Sequence, residues 1–299
     1  MSRAAGTLLR LMPWVFVLIW STGFVVARFG MPHAPPLTFL SIRYALSVVC
    51  LVLWVGLARA AWPIGRAQWG HLSVSGVLMH AGYLGGVWAA VKHGIGAGTV
   101  ALLVGLQPVL TAIWITATSP RSNDAAAVPA RQWAGLGLGM LGLALVVWPK
   151  LGAGEVTPVN LALAIIALLS ITVGTLYQKR FVAPTDVRTA NTVQLLAALA
   201  VSLPFAVFET ETVRWHPQMV GAMVWSVLVL TLGGSSLLYL LIQRGAATRV
   251  ASLLYLVPPC TACLAWLLFR EPLTAAMFAG MLLTISGVAL VVRTPKAAE

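Results

Sequence analysis

Carboxylates are scarce in this chain. Asp and Glu together number seven in 299 residues, against nineteen Lys and Arg. All seven (Asp124, Glu155, Asp186, Glu209, Glu211, Glu271 and Glu299) lie in connectors or at the ends of apolar runs. An embedded hydrolytic or metal site needs clustered titratable groups, so neither an enzyme nor a metal or other cofactor is expected. A proton- or sodium-coupled path through a membrane commonly holds a carboxylate; no apolar run here contains one. Charge of either sign is also low, at 9%, where soluble domains carry about 25%. A soluble fold is excluded. Cysteine is limited to Cys50, Cys260 and Cys263, all in apolar runs. Cys260-Thr-Ala-Cys263 has the spacing of a redox or metal pair, but no His or acid lies near it in sequence, and small buried hydrophobes are the better reading.

What is present is apolar surface: 60% hydrophobic residues and a mean hydropathy of +0.92. The net charge of +12 suits a nucleic-acid binder only where the basic residues cluster. Here they are scattered one to three per connector, as topogenic charge is, so the expected partner is the lipid bilayer and not nucleic acid. Arg3 and Arg10 precede an apolar run as in a signal peptide, yet no small-residue cleavage site follows, and the run reads as a retained first span. A membrane crossing takes about 20 mostly apolar residues. Ten runs qualify: 12–28, 37–57, 69–91, 98–118, 132–149, 158–177, 190–208, 218–241, 249–269 and 275–292. With the N-terminus inside, the inner connectors hold thirteen Lys and Arg and the outer ones five, Arg28, Lys92, Lys150, Arg214 and Arg270. That asymmetry predicts a multi-pass protein of the cell (inner) membrane with both termini cytoplasmic.

The chain also repeats itself. Residues 97–112 and 247–262 agree at eight of sixteen positions, including Ala97/Ala247, Val100/Val250, Ala101/Ala251, Pro108/Pro258 and Thr111/Thr261. Gln132–Val147 echoes Met277–Val292, with Gly135/Gly280, Leu138/Leu283 and Gly142/Gly287 in register and Ala-Leu-Val-Val ending both. The expected fold is therefore all-α and integral to the membrane: ten transmembrane helices in two five-helix repeats, residues 1–149 and 150–299. An odd number of spans per half inverts the second copy, and such repeats enclose a central cavity at the pseudo-two-fold interface.

On these residues the chain resembles the EamA-type exporters of the drug/metabolite transporter superfamily over nearly its whole length. The resemblance is carried by Trp20-Ser21-Thr22-Gly23-Phe24, by Gly98-Thr99-Val100-Ala101 with Pro108, and by Arg270-Glu271-Pro272-Leu273-Thr274 followed by Gly280 and Gly287. Family members often place an acidic residue before span five, where this chain has Ser119–Arg131, a connector expected to be structured differently. Within the superfamily the chain looks most like bacterial aromatic amino-acid exporters. The resemblance implies a secondary transporter exporting small metabolites, amino acids first, by alternating access.

Few polar residues sit at depth. Arg43, near the outer end of span two, is either a carboxylate anchor or a structural arginine that snorkels or pairs with Glu271. His80, central in span three on one helical face with Gly76 and Tyr83, is a ligand group or pH switch, or equally a satisfied structural histidine. Trp20, Ser21 and Thr22, then Gln107, then Ser170, Thr172 and Tyr177 add polar groups from spans one, four and six. Ser235, Ser236, Tyr239 and Gln243 form a stripe on span eight, and span nine contributes Tyr255. Together they read as a wet cavity; singly, as interhelical hydrogen bonds of about 0.6 kcal/mol. The candidate substrate-binding set is Trp20, Arg43, His80, Tyr83, Gln107, Ser236, Tyr239 and Tyr255, and Pro108 and Pro258 are mid-helix hinge candidates. Trp14, Trp54, Trp62, Trp69, Trp148 and Trp215 are expected interfacial anchors. Phosphorylated or nucleotide-sugar substrates call for several embedded cations, where only Arg43 qualifies. The expected partner is a small molecule such as an amino acid, and the design is compatible with a monomer. Impermeant thiol labelling of single cysteines from outside should reach residues 209–216 and spare 59–66; reaction of both would overturn this topology.

Overall fold

The computed structural model describes residues 3–118, 130–234, 237 and 256–292. Among them every regular element is helical. The helices are α1 (Arg3–Gly30), α2 (Pro36–Ala58), α3 (Arg66–Gly76), α4 (Tyr83–Lys92), α5 (Ala97–Val104), α6 (Gln107–Thr118), α7 (Ala130–Gly152), α8 (Pro158–Phe181), α9 (Val187–Ala206), α10 (Pro217–Val224), α11 (Val257–Phe269) and α12 (Ala275–Val292). Two π-helical segments, Val77–Gly82 and Trp225–Gly234, join α3 to α4 and continue α10. Among the described residues seven helical stretches are long and apolar enough to cross a membrane: Leu11–Gly30, Pro36–Ala58, Arg66–Lys92, Trp133–Gly152, Pro158–Phe181, Val187–Ala206 and Pro217–Gly234. Shorter apolar helices cover Ala97–Thr111, Val257–Phe269 and Ala275–Leu290. Most of the connector 119–131, the polar stripe from Ser235 to Gln243, and Tyr255 lie outside the described residues.

Run four differs from the expected single kinked helix. It breaks at Gly105–Leu106, and Pro108 stands in the first turn of α6. Pro258 likewise sits in the first turn of α11, followed by Pro259. Proline belongs in a first turn because its missing N–H would have no helical partner there. Both prolines thus start helices and do not bend the middle of one. The cysteine reading is corrected as well: Cys263 is exposed on the outer surface of α11, while Cys50 and Cys260 are partly buried.

Helix ends are held by side chains from distant parts of the chain. Glu209 takes hydrogen bonds from the amides of Leu37 (2.9 Å) and Thr38 (2.7 Å) at the start of α2. Glu271 accepts from Ala97 N (3.2 Å) and Glu155 from Gly96 N (3.3 Å) at the start of α5. Negative charge at a helix N-terminus meets free N–H groups and the positive end of the dipole. Lys150 bridges Glu155 at 2.6 Å, Arg28 lies 4.0 Å from Glu271, and Lys92 pairs with Glu211. At the other end of the bundle Asp186 caps α9, and the Arg188 guanidinium hydrogen-bonded to it holds its carboxyl below the usual carboxylate range.

Glycine sets the closest helix contacts. A Cβ on Gly142 would lie 2.5 Å from the Gly280 carbonyl oxygen, and one on Gly287 would lie 2.4 Å from that of Gly135. These glycines bring α7 and α12 into backbone contact, as small residues do in membranes where lipid removes the hydrophobic drive between helices. At Gly76 a Cβ would stand 2.3 Å from the Gln194 carbonyl oxygen, so α3 and α9 also touch through backbone. Gly142→Val should cost about 1–3 kcal/mol through overpacking, read as a lowered melting temperature in detergent. Gly137→Val, at a position facing open space, should leave it unchanged.

Candidate functional site

Two adjoining cavities, with about 830 and 1110 Å³ of empty space including what opens to solvent, meet within the bundle. They share Trp20, Phe24, Met79, Tyr83 and Ile171, so they adjoin as two lobes around these side chains. The first lobe holds Arg43, His80, Asn191 and Thr231. The second is walled by aliphatic residues of α5, α11 and α12, with Gln107, Thr175 and Thr284 as its polar groups. Ligand sites in proteins have this character: mostly apolar, with a few placed polar groups.

Arg43 is 7% exposed. Its Nη2 donates to Thr231 Oγ1 at 3.3 Å, and its Nε has no hydrogen-bond partner among the described residues. Glu271 does not pair with it; that carboxylate lies beside Arg28 and the α5 N-terminus. A charge at depth without a carboxylate is costly unless water or a ligand reaches it. Thr231 is held in turn by donating to Ser226 O at 2.9 Å, five residues back along the second π-helical segment.

His80 belongs to the first π-helical segment and Tyr83 follows it directly, both on the first lobe. Gly76, one turn before them, packs against the Gln194 backbone of α9, the residue beside His80. His80 lies beside Gln194, and Tyr44 Oη donates to the His80 carbonyl at 2.9 Å. Gln107 donates to Thr175 Oγ1 at 3.0 Å in the second lobe. Pro108 and Pro258 line that lobe.

Trp20, Arg43, His80, Tyr83 and Gln107 therefore border one space, while Ser236, Tyr239 and Tyr255 fall outside the described residues. Other expected polar groups point elsewhere. Ser21 and Thr172 donate to carbonyls of their own helices at 2.7 Å, and the Tyr177 hydroxyl meets His71 Nδ1 at 2.9 Å. Sequence reasoning missed Asn191, Thr231, Thr175 and Thr284. Asn191 and Gln194, three residues apart in an apolar run, were the available signal. The single threonines gave none.

The EamA-like transporter family matches residues 11–148 and again 159–293. The uncharacterized transporter YvbV of Bacillus subtilis is 27% identical over 94% of this chain and 90% of its own. A probable amino-acid metabolite efflux pump of Salmonella typhimurium is 24% identical over 96% and 94%, and its namesake in Escherichia coli is also 24% identical, over 96% and 94%. A solved crystal structure superposes with a TM-score of 0.64 across 97% of both chains at 18% identity, which shows a shared fold.

If Arg43 is retained for a ligand and not for the fold, removing it should relieve the bundle of an incompletely satisfied buried charge. Arg43→Met should leave the melting temperature unchanged or raise it by about 2–4 °C. A drop of that size would make Arg43 a structural anchor.

Proposed function

Because this chain belongs to the EamA-like transporter family, we propose that it is a secondary carrier that exports amino acids, apolar and aromatic ones included, by alternating access through the two-lobed chamber. The observation that carries the substrate class is Arg43, whose Nε has no hydrogen-bond partner among the described residues, inside a mostly apolar, aromatic-walled space. A planar guanidinium suits a carboxylate. Tyr83 and Trp20 offer π-faces to the ammonium. The second lobe, lined by Ala101, Leu102, Val104 and Ile285, takes an apolar side chain. The names of the Salmonella and Escherichia relatives support the same class. Phosphorylated substrates fit less well, since Arg43 is the sole cation lining either lobe among the described residues.

We further read the chain as ten spans in two inverted repeats, residues 1–149 and 150–299, with both termini cytoplasmic. Supporting this, the contacts come in related pairs. The second and seventh spans pack together (α2 on α9), as do the fifth and tenth (α7 on α12) and the fourth and ninth (α5 on α11). The third packs on the sixth as the eighth packs on the first. Pro108 and Pro258, each beginning a helix at the second lobe, are the positions about which α6 and α11 would swing. Transport then runs by facilitated diffusion or exchange, with His80 modulating it.

In proteoliposomes loaded with one labelled amino acid, unlabelled apolar and aromatic amino acids outside should accelerate efflux. Arg43→Gln should reduce the exchange at least about tenfold, the loss of a charged hydrogen bond, with Arg43→Lys retaining part of it at matched protein levels. Absence of exchange for every amino acid tested, or full exchange by Arg43→Gln, would refute the assignment.

A further inference from the structure

A third cavity, about 720 Å³, lies between α3 and the connector from α8 to α9. Its rim carries the exposed Lys179, Ala183 and Pro184, and its floor reaches Gln178, Asn191 and Gln194. Asn191 is the lining residue that it has in common with the first lobe. The floor is polar and internally connected. Ser75 Oγ donates to Gln178 Oε1 at 3.1 Å, Gln194 Nε2 donates to Ser75 Oγ at 3.3 Å, and Gln194 in turn meets His80. Gln178 and Gln194, both on the cavity lining, are thus tied together through Ser75, buried behind them, with His80 beside Gln194 on the chamber side. Neutral amides donate and accept, so a zwitterion or carboxylate passing along them finds partners for both of its ends without being held by a fixed charge. Lys179 at the rim attracts the carboxylate.

The opposite end of the bundle is tied down. There Glu209 holds the start of α2, Glu271 and Glu155 hold that of α5, and Lys92, Lys150 and Arg28 pair with carboxylates.

We propose that the third cavity is the access vestibule of the chamber, that small carboxylate-bearing solutes enter it at the Lys179 rim, and that Asn191 is the constriction between vestibule and chamber. This rests on the proposed function for the identity of the solute alone; the passage can be tested without any substrate.

The test uses the full chain with Cys50, Cys260 and Cys263 replaced by serine and a reporter Leu195→Cys, a position 2% exposed and lining the first lobe. The probe is 2-(trimethylammonium)ethyl methanethiosulfonate, whose reaction rate reports access to the thiol. The reporter should label. Asn191→Trp should slow it at least about tenfold, whereas Asn191→Ala should leave it equal or faster, because thiol reactivity follows exposure. A second reporter, Val187→Cys in the vestibule, should label equally with Asn or Trp at 191, which also establishes that the Trp variant is folded. If Trp is not tolerated, Asn191→Met is the slimmer plug and must slow Leu195→Cys in the same direction. Unchanged labelling of Leu195→Cys in the folded plug variants, or no labelling of it beside Asn191→Ala, overturns the vestibule. Such a result leaves amino-acid exchange standing if that is observed, and failed exchange leaves the labelling result standing.

Discussion

One incompletely paired guanidinium inside an apolar bundle constrains much of this architecture. Placing a cation at that depth is costly in lipid, so Arg43 needs a cavity at its head and an oxygen within reach. Thr231 supplies the oxygen, and its own position depends on the carbonyl of Ser226 in a π-helical turn. The neighbouring α4 is joined to α3 by another π-helical turn, which sets His80 and Tyr83 on the same space. Removing the wider turns would leave the charge without its surroundings. Pi-helical segments are uncommon and recur at functional sites, and here both border the first lobe.

The frame that tolerates this void is built from close backbone contact. Gly142 against Gly280 and Gly135 against Gly287 bring α7 and α12 together along their length, and Gly76 does the same for α3 against α9. Contacts of this kind resist change because any side chain would strike a carbonyl. Against that frame stand α5, α6 and α11, short helices whose ends meet at the second lobe. The closest packing lies in the glycine seams, and the helix interruptions lie at the second lobe.

Much of this was legible in the sequence. Most of the apolar runs that fall on described residues marked helices to within a few residues, because lipid leaves the backbone little choice, and the repeated glycines of Gln132–Val147 and Met277–Val292 marked the seam. Arg43, His80, Tyr83, Trp20 and Gln107 stood out because polar groups at depth are rare. The break at Gly105–Leu106 was not read, since a proline preceded by apolar residues suits a kink as well as a helix start. The π-helical turns escaped for a related reason: hydrophobic runs carry no period sharp enough to reveal an extra residue. Thr231 and Thr284 escaped because a lone threonine most often bonds its own helix, as Thr172 does. Pairing Arg43 with Glu271 failed because that carboxylate is engaged at the start of α5.

The π-helical turns also bear on how such a bundle could change shape. A π-turn is an α-helix holding one residue more than its length requires, and each residue of an α-helix turns the chain by about 100°. That surplus can in principle migrate along the helix by exchanging hydrogen bonds one at a time, without breaking the ladder. A shift past His80 would swing its imidazole out of the chamber while both ends of the span stayed in place. Motion stored this way is stepwise and local, a dislocation gliding through a lattice and not a lever turning on a pin. The bundle's outer dimensions could then stay nearly constant while the lining of its interior is exchanged.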